Sequence, residues 1–198
     1  VTFYDPETGA FGALGHGITD SDTGLLMPLG DGAVMDASVK AVKKGAIGDP
    51  GELRGSFNLT EDMGTLWANT DRGIFGVLDQ CDFALGEAVP VASSGEVHTG
   101  PAVILSNISG DVVETFDIEL IRVVEGPETQ NLLIRVTDPE LIARTGGIVQ
   151  GMSGSPILQD GKLIGAVTHV MIDDPTKGYG ILIENMLTQV ENTAPTLG

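Results

Sequence analysis

Short apolar runs separated by turn residues recur along most of this 198-residue chain. Many alternate apolar and polar positions, which is the two-residue period of a half-buried β-strand. The runs with this character are Val1–Tyr4, Gly12–Leu14, Leu25–Leu29, Ala33–Val42, Leu53–Phe57, Gly73–Leu78, Ala88–Ala92, Ala102–Asn107, Val112–Val123, Leu132–Val136, Lys162–Ile172 and Gly178–Ile183. The pattern predicts a mostly β protein, either a sandwich or a pair of barrels. We expect a single domain over 1–198 and, for two barrels, a junction near 79–88.

Two segments carry helical signals instead. Pro139–Arg144 has proline in its first turn, with Thr137 or Asp138 available as the N-cap. Gly146 follows as a terminator. Apolar residues within Ile183–Val190 recur at i, i+3, i+4 and i+7, which is one face of a helix. The sequence therefore predicts a short helix before residue 153 and an amphipathic helix near the C-terminus.

Composition narrows the possible partners. The formal net charge is −18, from 28 acidic and 10 basic residues, which disfavours nucleic acid and anionic membrane surfaces. A preference for basic peptides is a minor alternative to a merely solvated acidic surface. No run approaches the roughly 20 apolar residues of a membrane span. The single cysteine, Cys81, excludes an internal disulfide and is best interpreted as a small buried hydrophobe.

The motif GMSGSP at 151–156 carries the most chemical information. Glycine permits positive φ and close approach to the main chain, so this turn can expose the Ser153 hydroxyl as a nucleophile. The backbone N–H groups of Ser153 and Gly151 would then form an oxyanion hole. Two β-rich runs follow, joined by the hairpin pair Asp160-Gly161.

A serine nucleophile needs a base, and histidine has the appropriate pKa near neutral pH. His16 is the preferred candidate because it ends an apolar strand between two glycines. His169, inside the strand after the serine, and His98, in a polar stretch, are the alternatives.

A carboxylate usually orients the histidine of such a site. Asp138, Asp117, Asp20 and Asp22 are the candidates. Asp138 lies at a strand end, but it is equally well placed to cap the helix that follows it. Spacing alone leaves these two interpretations open.

Three stretches, FYDPETGAFGALGHGI, VTDPELIARTGGIVQGMSGSPILQDGKLIGAVTHV and DDPTKGYGI, resemble the stage IV sporulation protein B peptidases, the S55 serine peptidase family. The resemblance implies a chymotrypsin-like double β-barrel with a His16, Asp138 and Ser153 triad. Asp138 is unusually close to Ser153 for this fold, and Asp20 is the reserve. Met152 and Ser155 replace the acid and second glycine of other chymotrypsin-like enzymes, so activation by an ion pair to a freed N-terminus is not expected.

The function that the resemblance implies is a serine endopeptidase acting through an acyl-enzyme. Substrate would pair with the strand Ala166–Val170, with Thr168 or His169 lining the primary specificity pocket. No cofactor or metal is expected. The alternatives are a non-catalytic β-barrel module that binds extended peptides and another acyl-transfer hydrolase such as an esterase.

The resemblance also implies a biological setting. Family members act between the two membranes around a developing spore, where they cleave themselves and a regulatory protein. We therefore expect protein or peptide substrates, the chain itself among them, and an extracytoplasmic location. A membrane anchor and a PDZ domain are expected upstream in the full-length protein, with no membrane contact from this domain.

Overall fold

The computed structural model describes residues 1–79 and 87–195, and it is mostly β, as predicted. The strands are β1 (Phe3–Tyr4), β2 (Ala10–Ala13), β3 (Ala33–Val34), β4 (Ala37–Lys43), β5 (Glu52–Phe57), β6 (Gly64–Thr70), β7 (Gly73–Leu78), β8 (Gly100–Ser109), β9 (Val112–Val123), β10 (Leu132–Val136), β11 (Pro156–Gln159), β12 (Lys162–Met171) and β13 (Asp174–Leu182). The helices are α1 (Pro139–Thr145) and α2 (Ile183–Thr193). Cys81 and most of the predicted junction at 79–88 lie outside the described residues.

The C-terminal half is a closed barrel with the strand order β10-β13-β12-β11-β8-β9. Alternating residues of these strands point inward, and Ile104, Ile134 and Ile157 are fully buried. The predicted hairpin joins β11 to β12, with positive φ at both Asp160 and Gly161. Such a turn matches the right-handed twist of its strands.

The N-terminal half is an open five-stranded sheet, ordered β1-β2-β7-β6-β3. The predicted pair of barrels is thus one closed barrel and one half-barrel. The predicted strand Leu25–Leu29 is wrong, because only the isolated bridge between Thr19 and Leu26 forms there. Conversely, β6 was not predicted, because its polar residues interrupt the apolar alternation.

The hairpin of β4 and β5 connects the two halves near the 151–156 turn. Val39 exchanges backbone hydrogen bonds with Gly110 of the barrel. At the other end of the hairpin, Leu53 N–H donates to the Gln150 carbonyl at 2.8 Å. The segment just before the turn is therefore held by an element from outside the barrel.

Both predicted helices are present. Asp138 caps α1, and Gly146 ends it with φ 80°. The buried Met186 of α2 shares a core cluster with Phe75 of the sheet and Ile181 of the barrel, so this helix packs against both halves. No helix within residues 1–79 and 87–195 is long and apolar enough to cross a membrane.

Candidate active site

Ser153 lies on a turn that is anchored to the barrel on both sides. Before it, Met152 is buried in the barrel core. After it, Gly154 N–H donates to the Val167 carbonyl at 2.8 Å. The Ser153 side chain is half-buried, and its hydroxyl donates to the Thr168 carbonyl at 2.8 Å. The turn is thus held on the barrel from both sides, while Ser153 borders open space.

Two backbone donors of this turn are free to bind a ligand. The N–H groups of Gly151 and Ser153 make no hydrogen bond to any residue that the structure describes. Gly151 has φ 98° and faces solvent. Unpaired N–H groups beside a serine hydroxyl are what an oxyanion hole requires.

The loop carrying His16 approaches the Ser153 turn backbone to backbone. A Cβ built on Gly154, whose φ is 85°, would lie 2.6 Å from the Leu14 nitrogen. On the same loop, a Cβ on Gly15 would lie 2.9 Å from Cγ2 of Thr168. Leu14 itself has φ 68°, a left-handed conformation that is costly for a leucine. The two glycines and this strained residue let the histidine loop dock on the barrel.

Thr2 adds a polar contact to this docking. It is a buried residue whose hydroxyl donates to the Gly154 carbonyl at 2.8 Å. Its backbone N–H donates to the Gly12 carbonyl at 2.8 Å. Sequence reasoning missed Thr2, because nothing in the local pattern at residue 2 indicates a partner 152 positions away.

The orientation of His16 follows from a main-chain hydrogen bond. Its Nδ1 lies 2.9 Å from the Gly17 carbonyl oxygen. Because a carbonyl oxygen only accepts, Nδ1 must carry the hydrogen. In the neutral ring Nε2 then has the lone pair, which is the atom that a general base uses. No local pattern singles out Gly17 for this role, since every residue has a carbonyl.

His169 lies beside His16. Their ring centroids are 4.8 Å apart and the planes are tilted by 38°. Burial lowers the pKa of His169, and the neighbouring His16 lowers it further. Two imidazolium ions so close together would repel each other, so the geometry favours a neutral His169.

His16, Ser153, Thr168 and His169 line one cavity of about 410 Å³. The structure thus brings together two of the three histidines with the serine. His98 is elsewhere: it is exposed, and its Nε2 lies 3.0 Å from an Asp160 carboxylate oxygen. No group of three or more His, Cys, Asp or Glu side chains within residues 1–79 and 87–195 is arranged to hold a metal ion.

Asp138 does not line this cavity. One of its carboxylate oxygens accepts from the N–H groups of Glu140 and Leu141, each at 2.9 Å, as a helix N-cap does. The other accepts from Asp117 N–H at 3.3 Å. Of the two interpretations left open by the sequence, helix capping is the one that these hydrogen bonds match.

The strand register separates Asp138 from the histidines. His169 is paired with Tyr179, and Tyr179 with Leu133. Asp138 lies two residues past the end of β10, whose last residue, Val136, is itself three residues, roughly 10 Å of strand rise, beyond the level of Leu133. It also follows β10, which is separated from β12 by β13. A direct Asp138–His16 contact is not part of this arrangement.

The other candidate carboxylates have local roles. Asp20 accepts hydrogen bonds from the N–H groups of Asp22 and Thr23 and from the Thr23 hydroxyl within one exposed turn. These bonds lower the pKa of Asp20, the Thr23 hydroxyl contributing most. Neither Asp20 nor Asp22 lines the cavity. Asp117 lines a separate hollow with Pro101 and Thr137.

The serine turn, with its free N–H donors and an adjacent histidine, agrees with the result of comparing the chain with known protein families. The family model described as SpoIVB peptidase S55 matches residues 1–187. The chain belongs to the S55 peptidase family. It is therefore a serine peptidase, and the non-catalytic alternative is not supported. No curated protein matches the chain.

A solved structure of low sequence identity shares the fold of this S55 peptidase. The active form of the Rv3671c protease from M. tuberculosis has a TM-score of 0.50 at 14% identity, covering 83% of this chain and 82% of that one. An inactive mutant form of the same protein has a TM-score of 0.49 at 14% identity, covering 81% and 88%. The fold is chymotrypsin-like, with the closed barrel and the half-barrel sheet already described.

Proposed function

We propose that the chain is a serine endopeptidase in which Ser153 is the nucleophile and His16 the general base. The observation that carries this proposal is the shared cavity, where the Ser153 hydroxyl and the two imidazoles face the same space. The Nδ1–H tautomer of His16 supports its role, because Nε2 is left free to take a proton.

The proposed reaction begins when Nε2 of His16 takes the Ser153 proton and Oγ attacks the substrate carbonyl carbon. The resulting oxyanion accepts from the N–H groups of Gly151 and Ser153. The protonated His16 gives its proton to the leaving amine, and the C–N bond breaks to form the acyl-enzyme. Water, deprotonated by His16, then hydrolyses the ester and regenerates the serine.

Substrate binding would free the nucleophile in this scheme. The Ser153 hydroxyl has one hydrogen, which it donates to the Thr168 carbonyl. The last β11 residue paired on this side of β12 is Pro156, opposite Ala166. From Thr168 onward the described residues supply no strand on that edge, so an extended peptide can pair there. A substrate N–H that occupies the Thr168 carbonyl would release the hydroxyl toward His16.

In this proposal the Gly17 carbonyl orients the His16 ring, as a carboxylate does in a catalytic triad. Asp138 is assigned the structural role of capping α1. Thr168 and His169 are proposed substrate-binding residues, Thr168 through its carbonyl and His169 as part of the cavity wall.

The test is covalent labelling with a fluorophosphonate together with cleavage of a mixture of unstructured peptides. We expect labelling at Ser153 in the wild type and its loss, with peptide cleavage, in Ser153→Ala. His16→Ala should lower both rates by several orders of magnitude. Ser155→Ala is the matched control, since that serine is buried and its hydroxyl donates to Ser106 Oγ at 3.2 Å rather than lining the cavity. Cleavage that persists in Ser153→Ala would contradict the proposal.

Family membership alone supports the biological role. We propose that the enzyme processes a regulatory protein during sporulation, outside the mother-cell cytoplasm, and cleaves its own chain. In a spore-forming host that lacks its S55 peptidase, the wild type should restore spore formation and Ser153→Ala should not. Equal rescue by both forms would overturn this role.

A further inference from the structure

We infer that the cavity beside Ser153 selects an uncharged, apolar side chain at the substrate residue whose carbonyl is attacked. This inference rests on the proposed function and names its substrate class. It differs from the preference for basic peptides that the net charge of −18 would favour.

The walls of the cavity come from the two segments that border the nucleophile. Ile148 and Val149 precede the Ser153 turn, and Val167 and Val170 belong to β12. A substrate carbonyl at the Ser153 hydroxyl places the side chain of the same residue between these walls. The side chain before the scissile bond is therefore the one that this space receives.

Most of the lining is apolar and continues into the barrel core, while Gln150, Thr168 and the two histidines add polar groups. Ile148, Val149 and Val167 are all buried and belong to the main core cluster of the barrel. An aliphatic side chain entering here gains roughly 25 cal/mol for each Å² of apolar surface removed from water. The rim continues this character through Pro50 and Ile172.

Among the residues that the structure describes, no Asp, Glu, Lys or Arg lines the cavity. The nearby acids have partners elsewhere: Asp49 pairs with Lys43 at 2.8 Å, and Asp174 with Lys177 at 2.8 Å. Asp173 follows Ile172 in an exposed turn and does not line the cavity. A lysine or arginine side chain in this pocket would have no opposite charge to meet, and burying an unpaired charge is unfavourable.

The test uses two diphenyl phosphonates on one peptide, with a leucine or a lysine side chain at the phosphonate residue. In each, Ser153 Oγ would bond to phosphorus and displace phenoxide. We expect the leucine compound to label Ser153 at least about 100-fold faster. Equal or faster labelling by the lysine compound would overturn this inference while leaving the serine peptidase intact. Labelling by neither, with Ser153→Ala indistinguishable from wild type, would overturn the proposed function as well.

A pair of charge variants then localises the pocket. Ile172 lines the cavity and is 62% exposed, whereas Val91 is 47% exposed and pairs with Leu163, five residues before Thr168 on β12 and so roughly 16 Å away. Ile172→Asp should raise the labelling rate of the lysine compound roughly three- to ten-fold over wild type, by a partly screened attraction. Val91→Asp adds the same charge and should leave that rate nearly unchanged. Equal effects of the two variants would show steering by net charge and contradict the assigned pocket.

Discussion

The two halves of the molecule contribute to the site in different ways. The C-terminal barrel is closed, and it carries Ser153, Thr168 and His169 on strands and turns that its own core supports. The N-terminal sheet is open, its edge strands β1 and β3 have two residues each, and it contributes His16. A closed barrel has no unpaired edge, whereas an open sheet needs other contacts to fix its position. The proposed nucleophile is thus held by its own half, and the proposed base depends on docking between halves.

Three contacts make this docking specific. Gly154 meets the backbone of Leu14, Gly15 meets Thr168, and the Thr2 hydroxyl bonds to the Gly154 carbonyl. If the proposed base depends on docking between the halves, substitutions at these contacts should lower kcat/KM more than they lower the stability of the barrel.

The largest effect is expected from Gly154→Ala. The new Cβ would lie 2.6 Å from the Leu14 nitrogen, and the φ of 85° is unfavourable for alanine. The histidine loop must then move away from the serine turn. Because displacements near 1 Å can cost 100-fold in rate, we expect kcat/KM to fall at least about 100-fold. Peptide hydrolysis measured beside a chemical-denaturation curve separates this loss from unfolding.

Gly161→Ala is the matched control for that variant. Gly161 also has positive φ, at 76°, but a Cβ there would have no neighbour within 4 Å. Its substitution should cost about 1 kcal/mol of stability and change kcat/KM only a few-fold. Equal activity losses in the two variants would mean that backbone strain, rather than docking of the halves, explains the effect.

A smaller effect is expected from Thr2→Val. This change keeps the shape of the side chain and leaves the Gly154 carbonyl without its hydrogen bond. The turn loses one restraint, so we expect kcat to fall roughly ten-fold with KM little altered. Thr2→Ser, which retains the hydroxyl, should recover most of the rate. A loss confined to the free energy of unfolding would assign Thr2 to stability alone.

Asp138 provides a contrast to the docking contacts, because it lies entirely within the C-terminal half. Asparagine is also a good N-cap, so Asp138→Asn should leave kcat/KM within a few-fold of wild type. Asp138→Ala should lower the free energy of unfolding by about 1 kcal/mol. A loss near 10⁴-fold in Asp138→Asn would restore the triad interpretation. Steady-state kinetics and urea denaturation of both variants distinguish helix capping from a role in the triad.

The smallest effect concerns pH and stability. The pKa of His169 is lowered in the folded state. At a pH just below the usual pKa of histidine, the unfolded chain therefore binds more protons than the folded chain. His169 therefore makes the protein less stable as pH falls from about 6.5. His169→Gln should reduce the loss of urea midpoint between about pH 7 and pH 5. An unchanged pH profile would contradict the lowered pKa.

His98 provides the opposite control. Its pKa is raised by the Thr99 carbonyl and then by Asp160, so its stabilisation is present at low pH and lost as pH rises through the raised value. His98→Gln should therefore increase the loss of urea midpoint on acidification. Changes of the same sign in both variants would rule out this account.

Much of the secondary structure followed from local pattern. Short apolar runs bounded by turn or polar residues predicted Gly73–Leu78 and Leu132–Val136 with the bounds that the structure has. Local cap chemistry predicted α1, where Asp138 and Gly146 act within a few residues. Leu25–Leu29 failed because its apolar residues find no neighbouring strand and remain exposed. A strand is stabilised by its partners, which local pattern does not contain.

The sequence by itself determined the glycine-rich turn at Ser153, the helix ends and the family, because each depends on residues close together in the chain. Only the tertiary structure decided which groups meet: Thr2 with Gly154, His16 with its own Gly17 carbonyl and with His169, and Asp138 with a helix rather than a histidine. The physical reason is that these contacts join main-chain atoms and distant strands. Their positions come from barrel closure and strand register, which no short motif encodes.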